Sequence, residues 1–308
     1  MKVMEMNKKI KLSKKTTIGI ILFIILLLMA ILAPILAKHD PLAVKAINRL
    51  KPPSNEHLLG TDEFGRDVFA RILYGSRISL GIGISVTLIS TLFGTIIGLF
   101  SSYYPKLDKI LMRIIDGVMA IPAVLLAIAL MSAFGPSAKN VIIALSIIYI
   151  PQTARIIRSK ALQIKNETYI KALKTQASSD IRIMFNHILP NTLEILAVQI
   201  TLIFADAIIS EASLSFLGVG IAQPTPSWGS IIQGGKVVLF QASWIVIFPS
   251  IAIILAVLSL NLIGDGLKDS LTNQDIKILS KKKKIELIKQ KEDEFLKCKE
   301  NTYGTTRS

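Results

Sequence analysis

One cysteine and three histidines are all that 308 residues offer for covalent or metal cross-links. The lone Cys298 cannot close a disulfide within one chain, and His39, His57 and His187 are too scattered for a metal site of ordinary spacing. No GxxxxGK(S/T) loop is present to cradle nucleotide phosphates, so this chain is no ATP-driven motor. HExxH, CxxC and GxSxG are missing too, which leaves no candidate for hydrolytic, redox or metal-assisted catalysis. Charged residues make up only 19% and aromatics 6%. Although the net charge is +15, the basic residues are not interleaved with aromatics on a polar domain, and nucleic acid is not an expected partner.

Apolar residues fill the remainder. At 51% hydrophobic, with a mean hydropathy of +0.55, the chain carries more apolar surface than a soluble core of this size could hide. A bilayer core of roughly 30 Å needs about 20 apolar residues per helix. Six such runs are expected, over 17–37, 78–102, 114–133, 141–157, 192–217 and 244–264. The first is longer than the core of a cleavable signal peptide and reads as a retained anchor behind a basic leader, 1–16. The expected fold is therefore an all-α polytopic membrane protein, with one anchor and a five-helix core over 78–270.

Six crossings put both termini on one side. Lys and Arg resist translocation, and 27 of the 36 fall in the two termini and the 103–113 and 155–191 segments, so both ends are expected in the cytoplasm of the inner membrane. On that topology 38–77 lies outside, its Lys and Arg nearly balanced by Asp40, Glu56, Asp62, Glu63 and Asp67. The charged tail, 271–308, reads as a solvated cytoplasmic end able to touch anionic lipid headgroups.

Pro52, Pro53, Gly60 and Gly65 indicate turns, and 68–78 reads as a short amphipathic helix on the outer interface. In the second span, small residues recur at Ser90, Gly94, Gly98 and Ser102, with a second row at Ser79, Gly83 and Thr87. Such rows let helices approach closely where lipid supplies no hydrophobic drive, either inside one subunit or between two. Pro122, Pro151 and Pro249 interrupt apolar runs and should kink them.

The segment 159–191 is too long for a tight connection. Ile170, Leu173 and Ala177 recur at helical spacing, and Asp180 is placed to cap a second turn that Pro190 ends. This surface suits docking of a partner or resting on the membrane. Asp206 sits about 21 Å into the fifth span, where a carboxylate facing lipid is costly. It should face a translocation path, a polar group of a companion subunit, or an interhelical hydrogen bond.

Four stretches carry a family resemblance. Residues 168–180 (TYIKALKTQASSD), with His187, Ile188, Leu189, Pro190 and Asn191, look like the EAA loop of binding-protein-dependent ABC permeases. LLGTD at 58–62 with Gly65, Arg66 and Asp67 resembles the second permease subunit of the dipeptide, oligopeptide and nickel branch, as do EASLSFLG at 211–218, PTPSWG at 224–229 and NLIGDGL at 261–267. The resemblance implies half of a translocation path for short peptides, or for nickel or another small solute. It also implies a homologous second permease, two ATPase subunits that bind ATP and Mg²⁺, and an extracytoplasmic solute-binding protein. Ile170, Lys171, Ala172, Leu173, Ala177, Ser178 and Asp180 would form the ATPase-coupling loop. A non-transporting membrane scaffold or sensor is the other class of function.

Three positions depart from the family pattern. Lys171, Ala172 and Leu173 stand where relatives usually have Glu-Ala-Ala, and Ala177 where they usually have Gly. A Gly there would mark a turn with positive φ, which Ala adopts at a cost of about 1 kcal/mol. Lys171 would suit an ATPase groove that presents a carboxylate.

Overall fold

The computed structural model describes residues 14–270. Cys298 and the 271–308 tail lie outside the described residues, as does most of the basic leader. Among the described residues the elements are helical: α1 Lys14–Ile31, α2 Ala33–Leu36, α3 Val68–Tyr103, α4 Pro105–Met119, α5 Ala123–Phe134, α6 Ala138–Lys165, α7 Thr168–Thr175, α8 Asp180–Ile183, α9 Leu193–Phe216, α10 Trp228–Gly235 and α11 Trp244–Ser270. Five of them, α1, α3, α6, α9 and α11, are each long and apolar enough to cross a membrane.

The sixth expected span is a broken one. Where a single crossing over 114–133 was expected, α4 and α5 meet at an angle of 89°. Pro122, the residue before α5, has no N–H to continue the ladder of α4, and its φ of −54° and ψ of 129° turn the chain away. Side-chain pairing fixes the turn. On α4, Asp108 accepts from Arg158 Nε and Nη2 at 2.5 and 2.6 Å, and Asp116 from Arg155 Nη2 at 2.8 Å, so α4 is tied to α6 by its polar face. Its opposite face leaves Ile110 and Ile114 exposed.

The separate interfacial helix expected over 68–78 is instead the first part of α3, one unbroken helix of 36 residues. Asp67 starts it, accepting the Ala70 amide at 2.8 Å as an N-cap. Nothing in 68–78 stops a helix, and Ile72, Leu73 and Arg71 are all buried rather than laid on an interface.

Both small-residue rows of α3 serve this chain's own packing. Gly94 and Gly98 lie against α6, where a Cβ on Gly98 would fall 2.6 Å from the Ala154 carbonyl oxygen. The second row meets α9, with Gly83 under the Phe204 ring. Small residues thus let α3 sit between α6 and α9 at backbone contact distance. Pro151 and Pro249 lie inside α6 and α11 without ending them.

Candidate coupling segment and translocation face

Helix α6 runs past the expected membrane exit to Lys165, so the candidate loop begins at Asn166 rather than at 159. Ile170 is fully buried in a cluster with Leu99, Tyr103, Ile157, Ile164, Ile183, Met184 and Ile188, joining α7 to the ends of α3 and α6. It is the anchor of the segment. Lys171 and Ala172 are exposed and Leu173 half-buried, while Ser178 and Ala177 follow the helix end.

Ala177 does not continue the apolar stripe of Ile170 and Leu173. It has φ 56° and is exposed. Its N–H donates to the Lys174 carbonyl, and the Ser178 N–H to that of Leu173, at 3.1 and 3.2 Å. That pair of bonds around a left-handed residue is a Schellman stop, a position that favours glycine.

Asp180 is likewise not a cap. Ser179 occupies the N-cap position without a side-chain cap bond, and the Asp180 carboxylate instead accepts from Tyr103 Oη at 2.5 Å and Tyr104 Oη at 3.5 Å. Lys165 reinforces the junction by donating to the Ser102 and Tyr103 carbonyls at 2.8 and 2.9 Å. The end of α3 therefore holds the start of α8 through one short charge-assisted bond. Tyr169, Ile181 and Phe185 are exposed apolar residues on the same segment, which gives it an outward face with aromatic and aliphatic character.

Asp206 lies exposed on α9 and makes no hydrogen bond or ion pair among the described residues, so the interhelical bond within this chain is not formed. One turn on, Ser210 bonds Tyr149 Oη of α6 at 2.9 Å. Asp206 and Ser210 thereby lie one turn apart as a polar strip on α9.

The connection between α2 and α3 is built around two buried carboxylates. Asp62 takes Arg66 Nε at 2.6 Å and Arg71 Nε at 3.5 Å, and its other oxygen accepts the Phe64 and Arg66 amides, each at 2.9 Å. Asp67 Oδ2 bonds His57 Nδ1 at 2.9 Å while Oδ1 caps α3. Arg71 also donates to the Pro41 carbonyl at 3.3 Å, and Trp244 of α11 donates its indole N–H to the Thr61 carbonyl at 3.2 Å. Within this segment Asp62 with Arg66 and Arg71, and Asp67 with His57, are desolvated, matched groups, while Asp40, Lys45, Arg49, Lys51 and Glu56 stay exposed.

Residues 90–273 match the family described as the binding-protein-dependent transport system inner membrane component. The chain belongs to this family. Residues 8–53 match the N-terminal TM domain of oligopeptide transport permease C. A putative peptide transport system permease protein of Brucella suis is 48% identical over 254 residues, 82% of this chain and 86% of that one. The dipeptide transport system permease DppC of Alkalihalophilus pseudofirmus is 42% identical, over 87% and 88% of the two chains. Glutathione transport system permease GsiD of Pectobacterium atrosepticum is 42% identical, over 81% and 84%. Among solved structures, the inward-facing MetNI methionine ABC transporter shares the fold at a TM-score of 0.55 and 16% identity, covering 65% of this chain and 96% of its own.

The protein is thus a multi-pass inner-membrane permease subunit and not an enzyme. Sequence reasoning passed over one residue of this permease. Glu211, quoted only as part of a family stretch, is fully buried and accepts from Ser79 Oγ and Ser215 Oγ, each at 2.8 Å. Ser79 in turn accepts the Trp228 amide at 3.2 Å, so the carboxyl ties α3 and α9 to α10. Hydroxyls at 79 and 215 are the signal that could have revealed it, since a buried carboxyl needs donors.

Proposed function

We propose that this permease forms half of a translocation path for short peptides, paired with a homologous permease, driven by two ATPase subunits and supplied by an extracytoplasmic binding protein. The observation that carries the reading is the 38–48% identity, over most of the chain, to relatives named as peptide, dipeptide and di/tripeptide transport permeases. The termini and the 166–191 segment lie in the cytoplasm on this reading, where Lys and Arg collect. There the exposed face of α7 with Tyr169, Ile181 and Phe185 docks on an ATPase, and buried Ile170 passes the movement to α3 and α6. Asp206, unpartnered among the described residues, faces the path and meets the ammonium end of a passing peptide.

Uptake of a labelled tripeptide tests the proposal in a strain lacking the gene and in the same strain complemented, with Ni²⁺ uptake measured beside it. Peptide uptake should fall on deletion and return on complementation; loss of Ni²⁺ uptake alone would overturn the peptide assignment. Asp206→Asn should cut uptake of free peptides while sparing N-acetylated ones and assembly. Equal uptake of both peptides by an assembled Asp206→Asn complex would remove Asp206 from the path.

A further inference from the structure

His39 and His57 stand eighteen positions apart, a spacing that flags no metal motif, yet the fold stacks the two imidazoles with ring centroids 4.9 Å apart. One donor atom from each of His39, His57 and Asp67 lies within 4.8 Å of the others. The Glu56 carboxylate comes within 4.0 Å of His57 Nε2, and Glu56 is exposed, free to close the remaining distance. Two imidazoles and a carboxylate are a donor set that suits a borderline divalent transition metal.

The hydrogen bonds around the rings sort the donors into roles. Asn48 Oδ1 accepts from Lys51 Nζ at 2.6 Å, which turns the Asn48 amide NH₂ toward His57 Nε2 at 3.3 Å. Nε2 is then the acceptor nitrogen, and Nδ1 carries the hydrogen that Asp67 receives at 2.9 Å. A histidine held this way, with one N–H on a carboxylate and the other nitrogen bearing a lone pair, has the orientation that carboxylates impose on metal-ligating histidines. His39 is held in the same manner, one ring nitrogen lying 3.1 Å from the Glu56 carbonyl oxygen. Asp67 has both oxygens engaged, one on His57 and one on the α3 cap, so it orients rather than ligates.

Access exists. His39 lines a surface cavity of about 810 Å³ between the end of α2, the start of α3 and the 225–226 loop. A cation arriving there meets His39 first, and the 3.3 Å Asn48 contact has to give way to free His57 Nε2.

We propose that His39, His57 and Glu56 form a binding site for a divalent transition metal of the Zn²⁺ class on the connection between α2 and α3, with Asp67 as the positioning residue for His57. The ion would clip the end of the anchor to the loop that starts α3. This site is separate from the strip around Asp206 and does not depend on which solute is carried.

The test uses the full-length chain purified without a polyhistidine tag, in a Cys298→Ser background that removes the single thiol. Calorimetric titration with Zn²⁺ should show one site per chain, and Co²⁺ should give a visible d–d spectrum that Zn²⁺ displaces. His39→Gln, which leaves the His57–Asp67–Asn48 bonds in place, should weaken Zn²⁺ binding by more than about tenfold and abolish the Co²⁺ spectrum; Glu56→Gln should weaken binding by about tenfold. His187→Gln should bind like the parent. The proposal is overturned if the parent holds no Zn²⁺ beyond the His39→Gln chain, or if His187→Gln loses the site instead.

Discussion

Two irregular parts of this permease, the 38–67 connection and the 166–191 segment, are held in opposite ways. In the first, Asp62, Arg66, Arg71, Asp67 and His57 are all buried and each is matched by at least one partner. In the second, Ile170 is buried, but the polar tether to α3 is essentially the Tyr103–Asp180 bond, and the remaining charges face solvent. A buried charge cannot lose its partner without leaving an uncompensated ion, so the first region is built to stay in one arrangement. The second is held to α3 and α6 chiefly by the non-directional packing of Ile170, Ile183, Met184 and Ile188, with no buried ion pair among its described residues to fix a single arrangement.

Substitutions can break this contrast in order of size. Asp62→Asn leaves Arg66 and Arg71 buried against an amide, and should cost about 3–5 kcal/mol. Thermal unfolding of the purified chain, with the amount of protein in membranes, reads this out; unchanged melting would mean the network is solvated. Tyr103→Phe removes a charge-assisted bond at the other region and should cost about 1.5–3 kcal/mol locally. Faster amide exchange confined to 166–191, with the 38–67 connection unaffected, is the expected result. Exchange spread through both regions would refute their independence.

Ala177→Gly works in the other direction. It relieves a left-handed φ and should stabilise the segment by about 1 kcal/mol, seen as slower exchange at the amides of position 177 and Ser178. Lys171→Glu is the smallest for the isolated chain, because Lys171 is exposed and its effect should appear only in the complex. Weaker assembly with the ATPase and lower coupled hydrolysis are expected if the docking groove presents a carboxylate; unaltered assembly and coupling would sink that idea.

Much of this was legible in the sequence, and what escaped did so for identifiable reasons. The spans at α1, α3, α6, α9 and α11 follow from unbroken apolar length. The α4–α5 break carried its signal in Pro122, but an 89° turn also requires Asp108 and Asp116 to reach Arg158 and Arg155, partners about 40 to 50 residues away that no local pattern shows. In the 166–191 segment the buried role of Ile170 was readable from periodicity. Ala177 was drawn into the same stripe because spacing alone cannot tell a helix from its stop. His39 and His57 were separated by chain distance and joined only by the fold.

Helix α3 touches both regions, capped by Asp67 at one end and bonded through Tyr103 at the other. Its 36 residues span about 54 Å, well beyond the roughly 30 Å of hydrocarbon it crosses. Such a rod must lean steeply or stand proud of both surfaces. With no break along its length, a tilt of 10° displaces one tip relative to the other by about 9 Å, enough to carry a push on one face of the bilayer to the other without any bond inside the helix changing.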